Sequence, residues 1–216
     1  GGGGGAALCA LRVAALLVDA TSATMFARDA EGNTPLHTAV AAGNTAMAAA
    51  LLACPRGAHT THTDAINDAG DTALLAAVRQ HHRPLTDMLL AAQAYGEAWD
   101  ADGLCPLHVA AAGGWVAGVR LLCDAGCDVN GRSEEGLTPA MEAARRGQAH
   151  VLCELVTRGA DLRLRTPRTR LTLPELLVDG HDKAAAALRE RGAVIAADDS
   201  GDDDSDGDGD DGDGGG

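Results

Sequence analysis

Histidine, cysteine and aspartate are the side chains in this chain that can bind metal, attack a carbonyl or move a proton. His37 and His108 each close a Pro-Leu-His triplet or its near copy. An imidazole there can ligate a metal, but among apolar helical residues it more often satisfies neighbouring polar groups. His59, His62, His81 and His82 follow one another without any set at recognised zinc spacing. Cys123 and Cys127 stand one helical turn apart, whereas zinc sites use closer pairs in two sets. Asp204, Asp206, Asp208 and Gly209 match the opening of a calcium loop, but Gly215 stands where the bidentate Glu belongs. No nucleophile elbow, phosphate-cradling glycine loop or pair of catalytic carboxylates is present. The expectation is a protein with no catalytic residues, no metal and no cofactor.

The elements around these residues come next. The chain has 216 residues and a formal charge of −14, with 46% apolar and only 2% aromatic residues. Aromatic poverty disfavours a β-sandwich or barrel, and abundant Ala and Leu suit short, closely packed helices. No apolar run reaches the length of a membrane span. Residues 196–216 hold ten Asp and no base, leaving the body nearly balanced at 21 acids against 17 bases. That tail has nothing apolar to offset ordering entropy and is expected to be disordered, as are the five glycines at 1–5. The absence of an initial Met fits a fragment or a processed form. Residues 6–20 are apolar but interrupted by Arg12 and lack a basic lead, so they are expected to be helical rather than a secretory signal. Six cysteines in Ala- and Leu-rich surroundings point to free thiols in a reducing, intracellular setting.

A repeat organises the body. Asp29 opens Asp-Ala-Glu-Gly-Asn-Thr-Pro-Leu-His, and Asp100 opens Asp-Ala-Asp-Gly-Leu-Cys-Pro-Leu-His. Ser133 and Asn67 open two further copies, the latter degraded. Gly32, Gly70, Gly103 and Gly136 mark the phase, spaced 38, 33 and 33. Thr34-Pro35 and Thr138-Pro139 pair a capping hydroxyl with a first-turn proline, which starts a helix. Leu51-Leu52, Leu89-Leu90, Leu121-Leu122 and Leu155-Val156 supply the buried stripe of a second helix. A unit this small buries its apolar face only against neighbours. Cys105 replaces the capping Thr, Ala73 the proline, and His81 the inter-helix glycine found at Gly43, Gly114 and Gly147. The unit from Asn67 to about Tyr95 is therefore expected to be the weakest, and Ala53–Asp64 to bulge with its extra residues.

This pattern resembles the ankyrin repeat family over about residues 6–193. The resemblance implies an all-α solenoid of helix-turn-helix units joined by β-hairpin-like turns. Its organisation would be a head at 1–5, a degenerate unit at 6–28, units at about 29–66, 67–99, 100–132 and 133–166, a cap at 167–195 and the tail at 196–216. It makes His37 and His108 structural, and it implies a protein-binding scaffold with no chemistry of its own. The recognition surface would combine turn tips with positions on the first helices. Those residues are Glu31, Asn33, Asp68, Asp71, Asp102, Leu104, Glu134, Glu135 and Leu137 at the tips, and Arg79, Gln80, Arg145 and Arg146 on the helices. Acidic tips, two basic spots and exposed Leu104 and Leu137 result, with Trp115 as a candidate anchor. Leu122, Asp128, Val129 and Asn130 match the pattern at which such asparagines are hydroxylated; the plainer reading is that Asn130 stabilises its turn. A protein partner of unknown identity, no nucleic acid, no membrane, a monomer, and cytoplasmic or nuclear residence are expected. Two alternatives stand beside this: an adaptor portion of a larger protein, or a binder of basic proteins through the acidic tail.

Overall fold

The computed structural model describes residues 27–53 and 63–165. The head, residues 6–26 of the degenerate unit, residues 54–62 of the Ala53–Asp64 loop, the cap and the tail therefore lie outside the described residues. Within them the chain forms eight helices: α1 (Pro35–Ala41), α2 (Thr45–Leu52), α3 (Ala73–Arg79), α4 (Arg83–Ala91), α5 (Pro106–Ala112), α6 (Val116–Asp124), α7 (Pro139–Arg145) and α8 (Ala149–Thr157). The fold class is the all-α repeat solenoid expected from the sequence.

Each unit contributes an antiparallel pair, and like helices pack on like. Helices α1, α3, α5 and α7 make one layer and α2, α4, α6 and α8 the other. Small Ala side chains permit this approach, and Leu74, Leu107, Leu122, Leu152 and Leu155 fill the interior with no exposed surface. Truncating one such Leu to Ala costs about 2–5 kcal/mol. The first helices start as the sequence predicts: the Thr72 and Thr138 hydroxyls accept the Leu75 and Met141 N–H at 3.3 Å. Between helices, Gly43, Gly114 and Gly147 take positive φ of 62°, 73° and 69°.

The unit at 67–99 forms both of its helices despite its departures from the repeat. Thr72 caps α3 without a following proline, and Leu74, Leu75, Val78, Leu85 and Leu89 are fully buried. Neighbours on both sides supply that burial, which no inspection of the unit alone reveals. Its defects reduce to two residues. His81 (φ 53°) and Gln93 (φ 61°) are the non-glycine residues with positive φ among the described residues. A further periodicity answers the first. The residue opening each second helix leans back over the previous inter-helix turn: the Gln148 amide donates to Ala112 O at 3.3 Å, and the Trp115 ring stacks on His81 at 5.4 Å and 9°.

Candidate functional site

The turn tips are built by one local device used four times. The side chain opening each turn accepts backbone N–H groups further along it. Asp29 Oδ1 accepts from Glu31 and Asn33 (3.0 and 2.8 Å), Asn67 Oδ1 from Ala69 and Asp71 (3.1 and 2.9 Å), and Asp100 Oδ1 from Asp102 and Leu104 (3.0 and 2.8 Å). Ser133 Oγ, being shorter, takes Leu137 N–H alone at 3.1 Å. Two of the three junctions between successive tips are tied by backbone bonds: Asp68 N–H donates to Glu31 O and Glu134 N–H to Gly103 O. Glycine is required here twice over. Gly32 and Gly103 have φ of 73° and 68°, and a Cβ on either would lie 2.3 Å from an atom of Asp68 or Glu134.

The tips are acidic as expected, and Glu31, Asp68, Asp102, Glu134 and Glu135 make no ion pair among the described residues. The two basic spots are different from what the sequence suggests. Arg79 is held by Asp71 at 3.2 Å and by the fully buried carboxylate of Asp100. Arg145 grips Glu142 through two bonds of 3.0 and 2.8 Å, and Arg146 adds a third at 3.4 Å. Glu142 is fully buried, so these guanidiniums stabilise a carboxylate that has no other access to water. Gln80 is exposed beside Arg79 as the C-cap of α3.

Both repeat histidines are structural. Thr34 N–H and its hydroxyl reach His37 Nδ1 at 3.3 and 2.8 Å, while Nε2 donates to Asp71 O in the next unit at 2.9 Å. His108 repeats this with the Cys105 thiol at 2.9 Å and Leu137 O at 2.8 Å. The carbonyls can only accept, so the proton sits on Nε2 and Nδ1 is the acceptor. Burial pushes both imidazoles below their ordinary pKa. It also pushes the Cys127 thiol up to about 12, and Cys105, Cys123, Cys127 and Cys153 are all free.

The family described as "Ankyrin repeats (3 copies)" matches residues 6–98 and 89–166. The chain belongs to the ankyrin repeat family. Its fold is similar to the ankyrin repeat domain of Bcl-3, with a TM-score of 0.75 and 26% identity, covering 84% of this chain and 78% of that one. In sequence it is 38% identical over 88 residues to the inactive serine/threonine-protein kinase TEX14 of Mus musculus, covering 41% of this chain and 6% of that protein. It is 32% identical over 153 residues to the E3 ubiquitin-protein ligase KEG of Arabidopsis thaliana, covering 68% of this chain and 9% of that protein. The chain thus spans under a tenth of these curated relatives. Ankyrin repeats are generally protein–protein interaction modules.

Within this ankyrin array the remaining predicted residues are partly committed to packing. Leu104 and Leu137 are half-buried, and Leu137 packs on the core. Trp115 is half-buried between His81 and Gly118, where an added Cβ would overlap its ring at 1.9 Å. Asn33 is tied to Asn67 of the next tip at 3.0 Å. Asn130 Oδ1 accepts Asp161 N–H at 2.8 Å and its amide donates to Gly159 O at 3.4 Å, joining two successive loops. Sequence reasoning missed the position just before each turn opener, held by Arg28, Ile66, Trp99 and Arg132. The repeat phase that exposed the tips would also have found it.

Proposed function

We propose that the chain is a non-enzymatic scaffold that binds a protein partner through its stacked tips and first helices. The observation carrying this is the set of five tip carboxylates without ion pairs among the described residues, on stacked tips that backbone hydrogen bonds join in two pairs. With Arg79, Arg145 and Arg146 occupied by buried acids, this face presents net negative charge, and a partner surface rich in Lys or Arg complements it. Reversing those arginines would place Glu against buried Asp100 and Glu142, so the tips are the better probes. In a pull-down with the whole chain, Glu31, Asp68, Asp102, Glu134 and Glu135 changed together to Gln should lose the partners that the wild type retains. Retention by the tip variant, with loss on neutralising the Asp residues at 198–213, would instead assign binding to the acidic tail.

A second reading has its own support. The relatives TEX14 and KEG are much longer proteins, a pseudokinase and a ubiquitin ligase by name. This array serves equally as the recognition portion of such a protein, bringing a bound partner to an activity housed elsewhere. Transcript mapping that places the array in one reading frame with a further domain supports this; a frame confined to the array removes it.

A further inference from the structure

We propose that Arg28, Ile66, Trp99, Arg132 and Arg165 form one strip that takes an extended acidic segment of a partner protein, bearing bulky apolar side chains three residues apart. None of the five belongs to the tip set, so this strip is a surface beyond the one just described.

Each of the first four residues immediately precedes a turn opener, and Arg165 continues the same 33-residue spacing. All five are exposed. Large apolar residues exposed among the described residues are Ile66, Tyr95 and Trp99, at 51, 57 and 55%. Two of these three fall on the strip. Of the ten described arginines, five are ion-paired and five (Arg28, Arg83, Arg132, Arg163 and Arg165) are not, and three of the unpaired five fall on the strip. Arg79, Arg120, Arg145, Arg146 and Arg158 are paired with carboxylates. Among the described residues Arg28 and Arg132 bond carbonyl oxygens: Ile66 O at 2.9 Å, and Gly136 O and Arg165 O at 3.0 Å each. These bonds fix their positions, and no carboxylate among the described residues forms an ion pair with either. Apolar side chains in water flanked by unpaired guanidiniums are complementary to an acidic, apolar segment.

The same bonds show that the strip is continuous. Arg28 reaches the backbone of residue 66, and Arg132 that of residue 165. Trp99 and Arg132 line one cavity of about 150 Å³ with Cys105 and His108. Between Ile66 and Trp99 the two units touch, since a Cβ on Gly70 would lie 2.9 Å from Ala101 N. Glu97 and Asp128 also line that cavity, held by the Asp128 and Asn130 N–H groups at 3.1 and 2.9 Å, and their charge makes it a place for an apolar rather than an acidic side chain.

Spacing selects the peptide conformation. Packed helices of successive units lie roughly 8–10 Å apart. A polyproline II segment returns a side chain to the same face every third residue, at about 9 Å per turn. A β-strand alternates faces every second residue and cannot keep that register. The matching segment places acidic residues at its first, tenth and thirteenth positions and apolar residues at its fourth and seventh.

The test uses the whole chain and a fluorescein-labelled peptide of that pattern, with Glu and Leu at the stated positions on a Pro/Ser background, read by anisotropy. Saturable binding is expected, weakened by about tenfold in Trp99→Ala and in Arg132→Glu. Glu134→Gln with Glu135→Gln should leave it within about twofold, which separates this strip from the tips. A peptide with its leucines moved to adjacent positions should bind about tenfold more weakly. Arg132 also holds Gly136 O, so if Arg132→Glu fails to fold, the exposed Ile66→Ala and Trp99→Ala decide. No saturable binding, equal binding of the shifted peptide, or tighter binding of a Lys-for-Glu peptide would each overturn the proposal. So would displacement of the probe by a synthetic 194–213 peptide at lower concentration than the unlabelled probe itself requires, which would make this chain's own C-terminal segment the occupant.

Discussion

His37 and His108 show how a residue with catalytic chemistry becomes a fastener. Each accepts at Nδ1 from its own helix start and donates from Nε2 to the neighbouring unit. A proton added at Nδ1 would face the Thr34 N–H donor in the first case and the Cys105 thiol in the second. Burial lowers both pKa values from the ordinary 6.5, so below that pH the unfolded chain takes up protons that the fold refuses. Stability is therefore expected to be full above pH 6.5 and to fall as pH drops through and below it. Urea midpoints at mildly alkaline and mildly acidic pH measure this, and a midpoint unchanged or higher on the acidic side would contradict it. Asp29, lowered by the Asn33 hydrogen bonds, adds a further loss in stronger acid.

At the scale of the helix, caps and turns explain where this sequence departs from its own repeat. Cys105 opens α5 without a side-chain cap bond, its thiol turned to His108. Cys105→Thr places a hydroxyl where Thr72 and Thr138 cap α3 and α7 and is expected to stabilise the protein by about 1 kcal/mol. A thermal melt showing no rise would mean that the thiol contact is as good. Gln93 ends α4 at φ 61° where Gly126 and Gly159 end α6 and α8 at φ 90°. Left-handed backbone costs a side-chain-bearing residue roughly 1–2 kcal/mol. Gln93→Gly should recover about 1 kcal/mol of it, net of the extra entropy of the unfolded chain. Equilibrium denaturation reads the difference directly, and a loss of stability would mean that the Gln93 side chain makes contacts outweighing the backbone strain.

At the scale of the whole molecule, stability is shared between neighbours. The first helices pack in one layer and the second in another, so burial of each unit depends on the next. Gly103 stands at such a junction, with φ 68° and no room for a Cβ against Glu134. Gly103→Ala should destabilise by more than about 2 kcal/mol, combining strain with overpacking. Because it strikes an interface, it should also split one unfolding transition into two or broaden it. Retention of a single sharp transition at the wild-type midpoint would show that the tips are not mechanically coupled.

Much of this protein was determined by its sequence alone. The phase of Gly32, Gly70, Gly103 and Gly136, the Thr-Pro starts and the paired leucines specify eight helices in register, because cap chemistry and apolar spacing act over a few residues. The acidic tips were legible for the same reason. Tertiary structure alone decided which charges remain available. Arg79 meets Asp100 across 21 positions, and no local pattern announces that pairing. Glu142 is close to Arg145 and Arg146 in sequence, yet its complete burial comes from the neighbouring units. Stacking also buried Leu74, Leu75, Val78, Leu85 and Leu89 of the unit at 67–99, whose missing proline is visible in the sequence. It set Trp115 on His81 while leaving Trp99 and Ile66 in water, two tryptophans of like character assigned opposite tasks. Side-chain type is local, but burial and ion pairing are properties of surfaces that meet only when the units stack.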